Sequence, residues 1–256
     1  THDKPFFLAV GFKKPHDPFV APKRYFDSYP LDSLKLHRDP AHATPVPPMA
    51  IPNNANKRAF DAMTDQERLE FLRCYAACST YADAQVGRVL DCMDQLDLWA
   101  NTIVMLWTDH GYHQGERGWW NKTLLFDYDA KVPFMLSLPE MTSRGKQCTS
   151  VIELIDVFPT VTELAGLELP DGLEGKSFVP LIHNPVHPWD RVAHTQSGGG
   201  RNRSVCNSRF RYTQWADGAE ELYDHDTDPG EWTNQAANPA YRDTVAALKA
   251  RLLPLP

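Results

Sequence analysis

An aspartate and a histidine stand side by side in Asp109-His110-Gly111, just after the apolar run Ile103-Val104-Met105-Leu106-Trp107. Lys122 follows thirteen residues after Asp109, beyond Gly115-Glu116-Arg117-Gly118-Trp119-Trp120. An oxygen ligand, a nitrogen ligand and a nearby ammonium are the parts of a metal-assisted site for a tetrahedral oxyanion. Oxygen ligands suit calcium or magnesium, whereas a histidine nitrogen favours manganese, iron or zinc, so the pair alone leaves the ion open. Gly111 lets the backbone turn sharply behind the pair. The plainer reading makes Asp109 a turn cap beside a hydrogen-bonded histidine, and Lys122 a surface lysine lying over an indole.

His16 lies in Lys13-Lys14-Pro15-His16-Asp17-Pro18-Phe19, where the prolines restrict the backbone around it. A histidine titrates in the range needed to hand a proton to an oxyanion or a leaving group. His194, in His194-Thr195-Gln196, and the arginines from Arg203 to Arg211 are candidates to reach a substrate from the C-terminal part of the chain. Arginine suits sulfate and carboxylate, but a solvated hairpin face accounts for the arginines more simply. His113 and Glu116 lie close to the metal candidate in sequence, and a turn-stabilising role is the ordinary one for Glu116.

The elements expected to position these residues are those of an α/β protein, whose chemistry gathers at the carboxyl ends of strands. Phe6 to Val10 read as a fully buried strand. Residues 13–54 form a long proline-rich excursion whose aromatics, Phe19, Tyr25, Phe26 and Tyr29, predict packing rather than disorder. Thr64-Asp65-Gln66-Glu67 is a capping box that opens a helix running to about Leu98. Strands are expected over 101–107 and 132–138, and the helix-then-strand order favours a parallel sheet. A helix with Pro159 as a local disturbance is expected over 151–167. Beyond Asn184 the texture changes to short segments (192–196, 204–206 and 210–215) that predict antiparallel hairpins, then an amphipathic helix through Tyr241, Val245, Leu248 and Leu252. Two domains are expected, 1–183 and 184–256.

Composition narrows the classes of function. A net charge of −7 argues against a general binder of nucleic acid or acidic membrane, though a local cationic pocket for an anion remains compatible with it. No segment approaches a membrane span, and no signal peptide is present in this sequence. The five cysteines show no metal-ligand spacing; Cys74, Cys78 and Cys92 read as small core-facing residues of one helix.

Taken together these segments resemble a family. Leu106-Trp107-Thr108-Asp109-His110-Gly111 followed by Gly115-Glu116-Arg117-Gly118-Trp119-Trp120-Asn121-Lys122 resembles the D-H-G…G-E-H-G-x-W-x-K segment of type I sulfatases, in the alkaline phosphatase superfamily. The run from Lys4 to His16 resembles K-P-F-F-L-A-V-G-x-x-K-P-H, notably of the iduronate-2-sulfatase branch. Asp156-Val157-Phe158-Pro159-Thr160 with Leu164-Ala165-Gly166-Leu167 resembles the family's D-L-F-P-T…L-A-G-L helix. Glu221-Leu222-Tyr223-Asp224, Asp228-Pro229 and Glu231 to Asn234 resemble its C-terminal segment.

The resemblance implies a mixed or parallel sheet sandwiched by helices, with a small C-terminal antiparallel α+β subdomain. It implies Asp109 and His110 as ligands of a divalent cation: calcium in sulfatases, manganese or zinc in the phosphonate and phosphate monoester hydrolases of the superfamily. By motif position Lys122 binds the sulfate group, and His16 contacts the sulfate or the leaving oxygen. The implied substrate is a sulfated sugar such as a 2-sulfated uronate, as in glycosaminoglycan degradation. The implied chemistry is attack on sulfur by a formylglycine hydrate, expulsion of the alcohol and release of sulfate. No cysteine here stands in the family's C-x-P-S-R context, and its paired acidic ligands are also missing. The resemblance therefore covers the C-terminal half of a sulfatase. It implies a nucleophile on an N-terminal half, inactivity of this chain alone, and a secreted, periplasmic or lysosomal location. Lys131 and Arg117 depart from the family's arginine and histidine at those places. A phosphonate or phosphate ester hydrolase and a non-catalytic binder of sulfated glycans are the competing expectations.

Overall fold

The computed structural model describes residues 4–255. In chain order it contains α1 (Lys23–Asp27), α2 (Ala55–Ala62), α3 (Asp65–Gln95), β1 (Val104–Trp107), α4 (Asp127–Ala130), β2 (Phe134–Ser137), α5 (Val157–Leu164) and α6 (Val179–His183). Four strands follow, β3 (Ala193–Ser197), β4 (Asn202–Cys206), β5 (Phe210–Gln214) and β6 (Glu220–Asp224), and then α7 (Arg242–Lys249). These elements are distributed over two units, one of Thr1–Arg38 with Ala59–Ala100 and the other of Asp39–Arg58 with Asn101–Pro256.

The first unit is organised by α3, which starts where the capping box predicts. Thr64 Oγ1 accepts the Glu67 N–H at 3.2 Å, and Glu67 returns a carboxylate oxygen to the Thr64 N–H at 2.7 Å. Those bonds from Thr64 hold the Glu67 carboxyl below its ordinary range. The proline-rich segment packs onto α3 through its aromatics: Phe19 meets Phe71 edge-on at 5.0 Å, and Tyr25 lies 5.3 Å from Tyr81. Tyr29 and Thr80 share a hydroxyl hydrogen bond of 2.6 Å. Thr64→Ala is expected to lower the melting temperature by roughly 2–4 °C, the usual effect of losing one N-cap in a chain of this size, measured by thermal circular dichroism.

Two expectations for this unit are corrected. Phe6 to Val10 form no strand and lie exposed, with Phe7 84% accessible. The run is apolar enough for a buried strand, but a strand also needs ladder partners, and none of the described residues supplies them. Cys92 is exposed rather than core-facing, whereas Cys78 is buried and Cys74 half-buried; all five thiols are free.

In the second unit β1 and β2 form a two-stranded antiparallel ribbon, with Val104 opposite Ser137 and Trp107 opposite Phe134. The helix-then-strand pattern favours parallel pairing. Here the connection holds loops and the single-turn α4 rather than a full crossover helix, which leaves the antiparallel return. Phe134 and Leu136 of β2 pack on Phe178, Leu181 and Ile182, while Met135 and Leu106 face outward; Trp107 stacks on Phe134 and stays partly exposed. Pro159 sits inside α5 without ending it, close to the helix start where its missing N–H costs little.

The strands β3 to β6 form one antiparallel meander in sequence order, as the short C-terminal segments predict, with β6 an additional strand. Val205, Tyr212 and Leu222 share one face and bury it against Leu248 of α7. Arg211, Thr213, Glu221 and Tyr223 occupy the other face and are also buried. Among the described residues no helix is long and apolar enough to cross a membrane.

Candidate active site

Asp109 and His110 emerge just beyond the carboxyl end of β1. His110 Nδ1 lies 2.7 Å from the Gly111 carbonyl oxygen, so this nitrogen carries the proton and donates it there. Its Nε2 lies 3.5 Å from Asp109 Oδ2 and is the nitrogen that could serve as a ligand atom. The two side chains are 86% and 37% exposed for Asp109 and His110. Ligand atoms held at about 2.1–2.4 Å from one cation in adjacent positions lie roughly 3 Å or slightly more apart, so this donor pair fits two neighbouring sites on a divalent ion. It would supply only part of a coordination sphere.

Lys122 is carried by a stretch whose neighbours are deeply buried: Trp119, Trp120, Leu124, Leu125 and Phe126. The Trp119 indole N–H donates to the Lys122 carbonyl oxygen at 3.1 Å, anchoring the backbone and leaving the side chain half-buried. No described residue pairs with its ammonium. The next residue, Thr123, has φ +80°, a left-handed conformation that strains a β-branched residue. Alongside it, Met49, Ala50, Pro52, Ser197 and Trp215 help to line a cleft of about 300 Å³.

His16 belongs to the first unit, where its Nδ1 lies 2.7 Å from the Asp17 carbonyl oxygen and 3.0 Å from Asp17 Oδ1. His194 is placed differently from what its sequence context invites. Its Nε2 bonds the Arg251 carbonyl oxygen at 3.0 Å and its Nδ1 lies 3.4 Å from Glu153, so both nitrogens face groups of the fold.

The expected solvated arginine face does not exist at Arg211, which is only 3% exposed. Its guanidinium bonds Asp127 on α4, Glu231 at 2.8 Å and the Ser204 hydroxyl at 3.2 Å. Burial alone would raise the Asp127 carboxyl, but Arg211, with His225 and Lys131, overrides it and holds the group low. Asp127, Cys206 and His225 bring ligand atoms within 4.8 Å of one another. Arg211 already supplies the cation there, and burial pushes the Cys206 thiol up to about 11, so this cluster is an ion-pair network. Arg117, in the family's histidine position, lies over the rings of Phe126 and Trp232 and donates to the Glu231 carbonyl.

A sulfatase family profile matches residues 1–167, and one for the C-terminal region of N-sulphoglucosamine sulphohydrolase matches residues 115–255. The chain belongs to the sulfatase family. It is 35% identical to a sulfatase of Formosa agariphila, over 98% of this chain and 50% of that protein. It is 34% identical to human iduronate 2-sulfatase, over 70% of this chain and 39% of the relative. Its fold matches a phosphonate monoester hydrolase of Agrobacterium radiobacter with a TM-score of 0.77 at 21% identity, covering 98% of this chain and 56% of the other. This sulfatase chain thus spans about half the length of the curated relatives it matches. Its E-L-Y-D and D-P-x-E-x-x-N matches are structural: Glu221 accepts the Trp215 indole at 2.7 Å, Asp224 takes two bonds from Arg209, and Asn234 caps the Leu222 N–H.

Proposed function

We propose that this chain supplies the cation-binding pair and the anion anchor of a sulfuric ester hydrolase acting on a sulfated sugar. The observation that carries this reading is the outward-facing pair Asp109 Oδ2 and His110 Nε2, 3.5 Å apart, followed in the same loop system by a lysine ammonium with no partner among the described residues. Asp109 and His110 would hold a divalent cation, calcium by family resemblance, whose charge offsets that of the sulfuryl oxygens. Lys122 adds a fixed positive charge for the same anion, held by a backbone anchored on Trp119. His16 is proposed, on its motif position, to give a proton to the departing sugar oxygen. The name iduronate 2-sulfatase, carried by the mouse and human relatives, makes a 2-sulfated uronate the first substrate to try.

The nucleophile, a formylglycine by family resemblance, and the other cation ligands are assigned to an N-terminal half. That half would also cover the exposed apolar surface of the β1–β2 ribbon, since a lone two-stranded ribbon is marginal in water. A secreted, periplasmic or lysosomal location is proposed on resemblance to the family. Residues 1–256 alone are expected to leave an aryl sulfate intact, while the protein carrying both halves hydrolyses it; turnover by residues 1–256 alone overturns this division of labour. In the two-half protein, Asp109→Ala is expected to raise the calcium concentration for half-maximal activity at least about 10-fold. An unchanged calcium requirement removes Asp109 from the site, and faster turnover of an aryl phosphonate than of the sulfate overturns the substrate class.

A further inference from the structure

Asp129 is a buried residue of α4 that bonds three points of the loop system carrying the candidate site. Its main-chain oxygen accepts the Gly111 N–H at 2.8 Å, one residue past His110. One carboxylate oxygen accepts the His113 Nδ1–H at 3.0 Å, and the other accepts the Leu124 N–H, two residues past Lys122. His113 closes the circuit, its own N–H donating at 3.0 Å to the carbonyl of Asn121, the residue before Lys122. The approach is close enough that a Cβ on Gly111 would fall 2.0 Å from the Tyr128 carbonyl oxygen.

Space-filling does not account for His113. Its ring is wholly buried beside Phe126 and Tyr128, and its Nε2 has no hydrogen-bond partner among the described residues. A buried unpartnered nitrogen is a cost that an apolar ring of similar shape would avoid. What the histidine alone provides is the Nδ1–H bond to Asp129. The strained Thr123 is meanwhile held on both sides, by the Trp119 bond to Lys122 and the Asp129 bond to Leu124.

We propose that the Asp129–His113 pair is the positioning element that sets Lys122 relative to Asp109 and His110. The proposal rests on the sulfatase reading of those three residues. Neither member touches the anion: they fix the loop so that the cation and the ammonium address one sulfate together. Displacing such groups by about 1 Å costs on the order of 10²-fold in rate.

The test uses the protein carrying both halves, with inorganic sulfate as the probe, measured as an inhibitor with and without calcium, alongside kcat. In the unaltered protein calcium is expected to tighten sulfate binding on the order of tenfold, because both charges meet one anion. In His113→Phe calcium and sulfate should each still bind, but the tightening should fall below about twofold, and kcat by about 10²-fold. His113→Asn, whose side-chain N–H takes the Nδ1 position, should restore most of the tightening. A purely structural role would lower the melting temperature of both variants and leave the calcium–sulfate linkage intact; that result overturns the proposal. If His113→Phe fails to fold, Asp129→Asn, which sets an NH2 against the Leu124 N–H or the His113 ring, serves the same comparison. Absence of tightening in the unaltered protein overturns the anion-site reading and this proposal with it, whereas tightening that survives His113→Phe overturns the positioning role alone.

Discussion

Arg211→Met is expected to destabilise the second unit by about 3–5 kcal/mol, the usual consequence of removing one partner from a buried ion pair. The guanidinium stands between Asp127 and Glu231, both largely buried, and methionine offers neither carboxylate a donor. His225 remains 2.8 Å from Glu231 but cannot serve both acids at hydrogen-bond distance, lying 4.0 Å from Asp127. Urea unfolding followed by tryptophan fluorescence measures the loss. Adding Asp127→Asn and Glu231→Gln to Arg211→Met should recover part of it, because the cost lies in the unpaired charges. A loss under 1 kcal/mol would show that the network is not holding the unit together.

This network and the neighbouring Arg209–Asp224 pair set a pH dependence. Arg209 bonding holds the Asp224 carboxyl low, and Arg211 does so for Asp127 against the opposing effect of burial. A carboxyl depressed in the folded state adds stability above its unfolded value, near pH 4, and that stability is lost as the pH falls through the folded value. The melting temperature is therefore expected to fall below about pH 4, and less steeply in Arg211→Met, where the contribution of Asp127 has already gone. Parallel melting curves at pH 3, 4 and 6 check the sign.

Lys122→Ala is expected to lower kcat/KM for a sulfate ester by about 10²–10³-fold in the protein carrying both halves, the scale for removing one group that stabilises developing negative charge. Inhibition by inorganic sulfate should weaken in parallel, since in the proposed site the ammonium would meet product as well as substrate. Because the backbone of Lys122 is held by Trp119 and the side chain is half-buried, truncation should leave the fold intact. A kcat/KM within twofold of the original value would take Lys122 out of the site.

How much of this was legible from residues alone depended on the range of the interactions. The capping box at Thr64 and the His110–Gly111 bond are local, so their spacing announces them. The Asp109–His110 pair and Lys122 were legible as a motif, which also carried the family assignment. Phe6 to Val10 misled because apolarity measures the wish to be buried and not the presence of partner strands. Arg211 misled in the opposite way. Alternation of apolar and polar residues along β5 reads as one buried and one wet face, yet both faces are covered, and the acids that neutralise Arg211 come from 84 residues before it and 20 after it. Asp129 had no signal at all, since its three bonds converge only once the loop has folded.

The short helix α4 carries Asp127 and Asp129 two residues apart, the first bound by Arg211 of β5 and the second bound to the Lys122 loop. For anyone building chimeric sulfatases, this makes the C-terminal meander a poor interchangeable cassette. A crossover between α4 and β3 would exchange the arginine without its aspartate and hand the Lys122 loop a foreign foundation. Crossovers that move residues 109–231 as one block should keep turnover, and those that divide the block should lose it while much of the remaining fold survives.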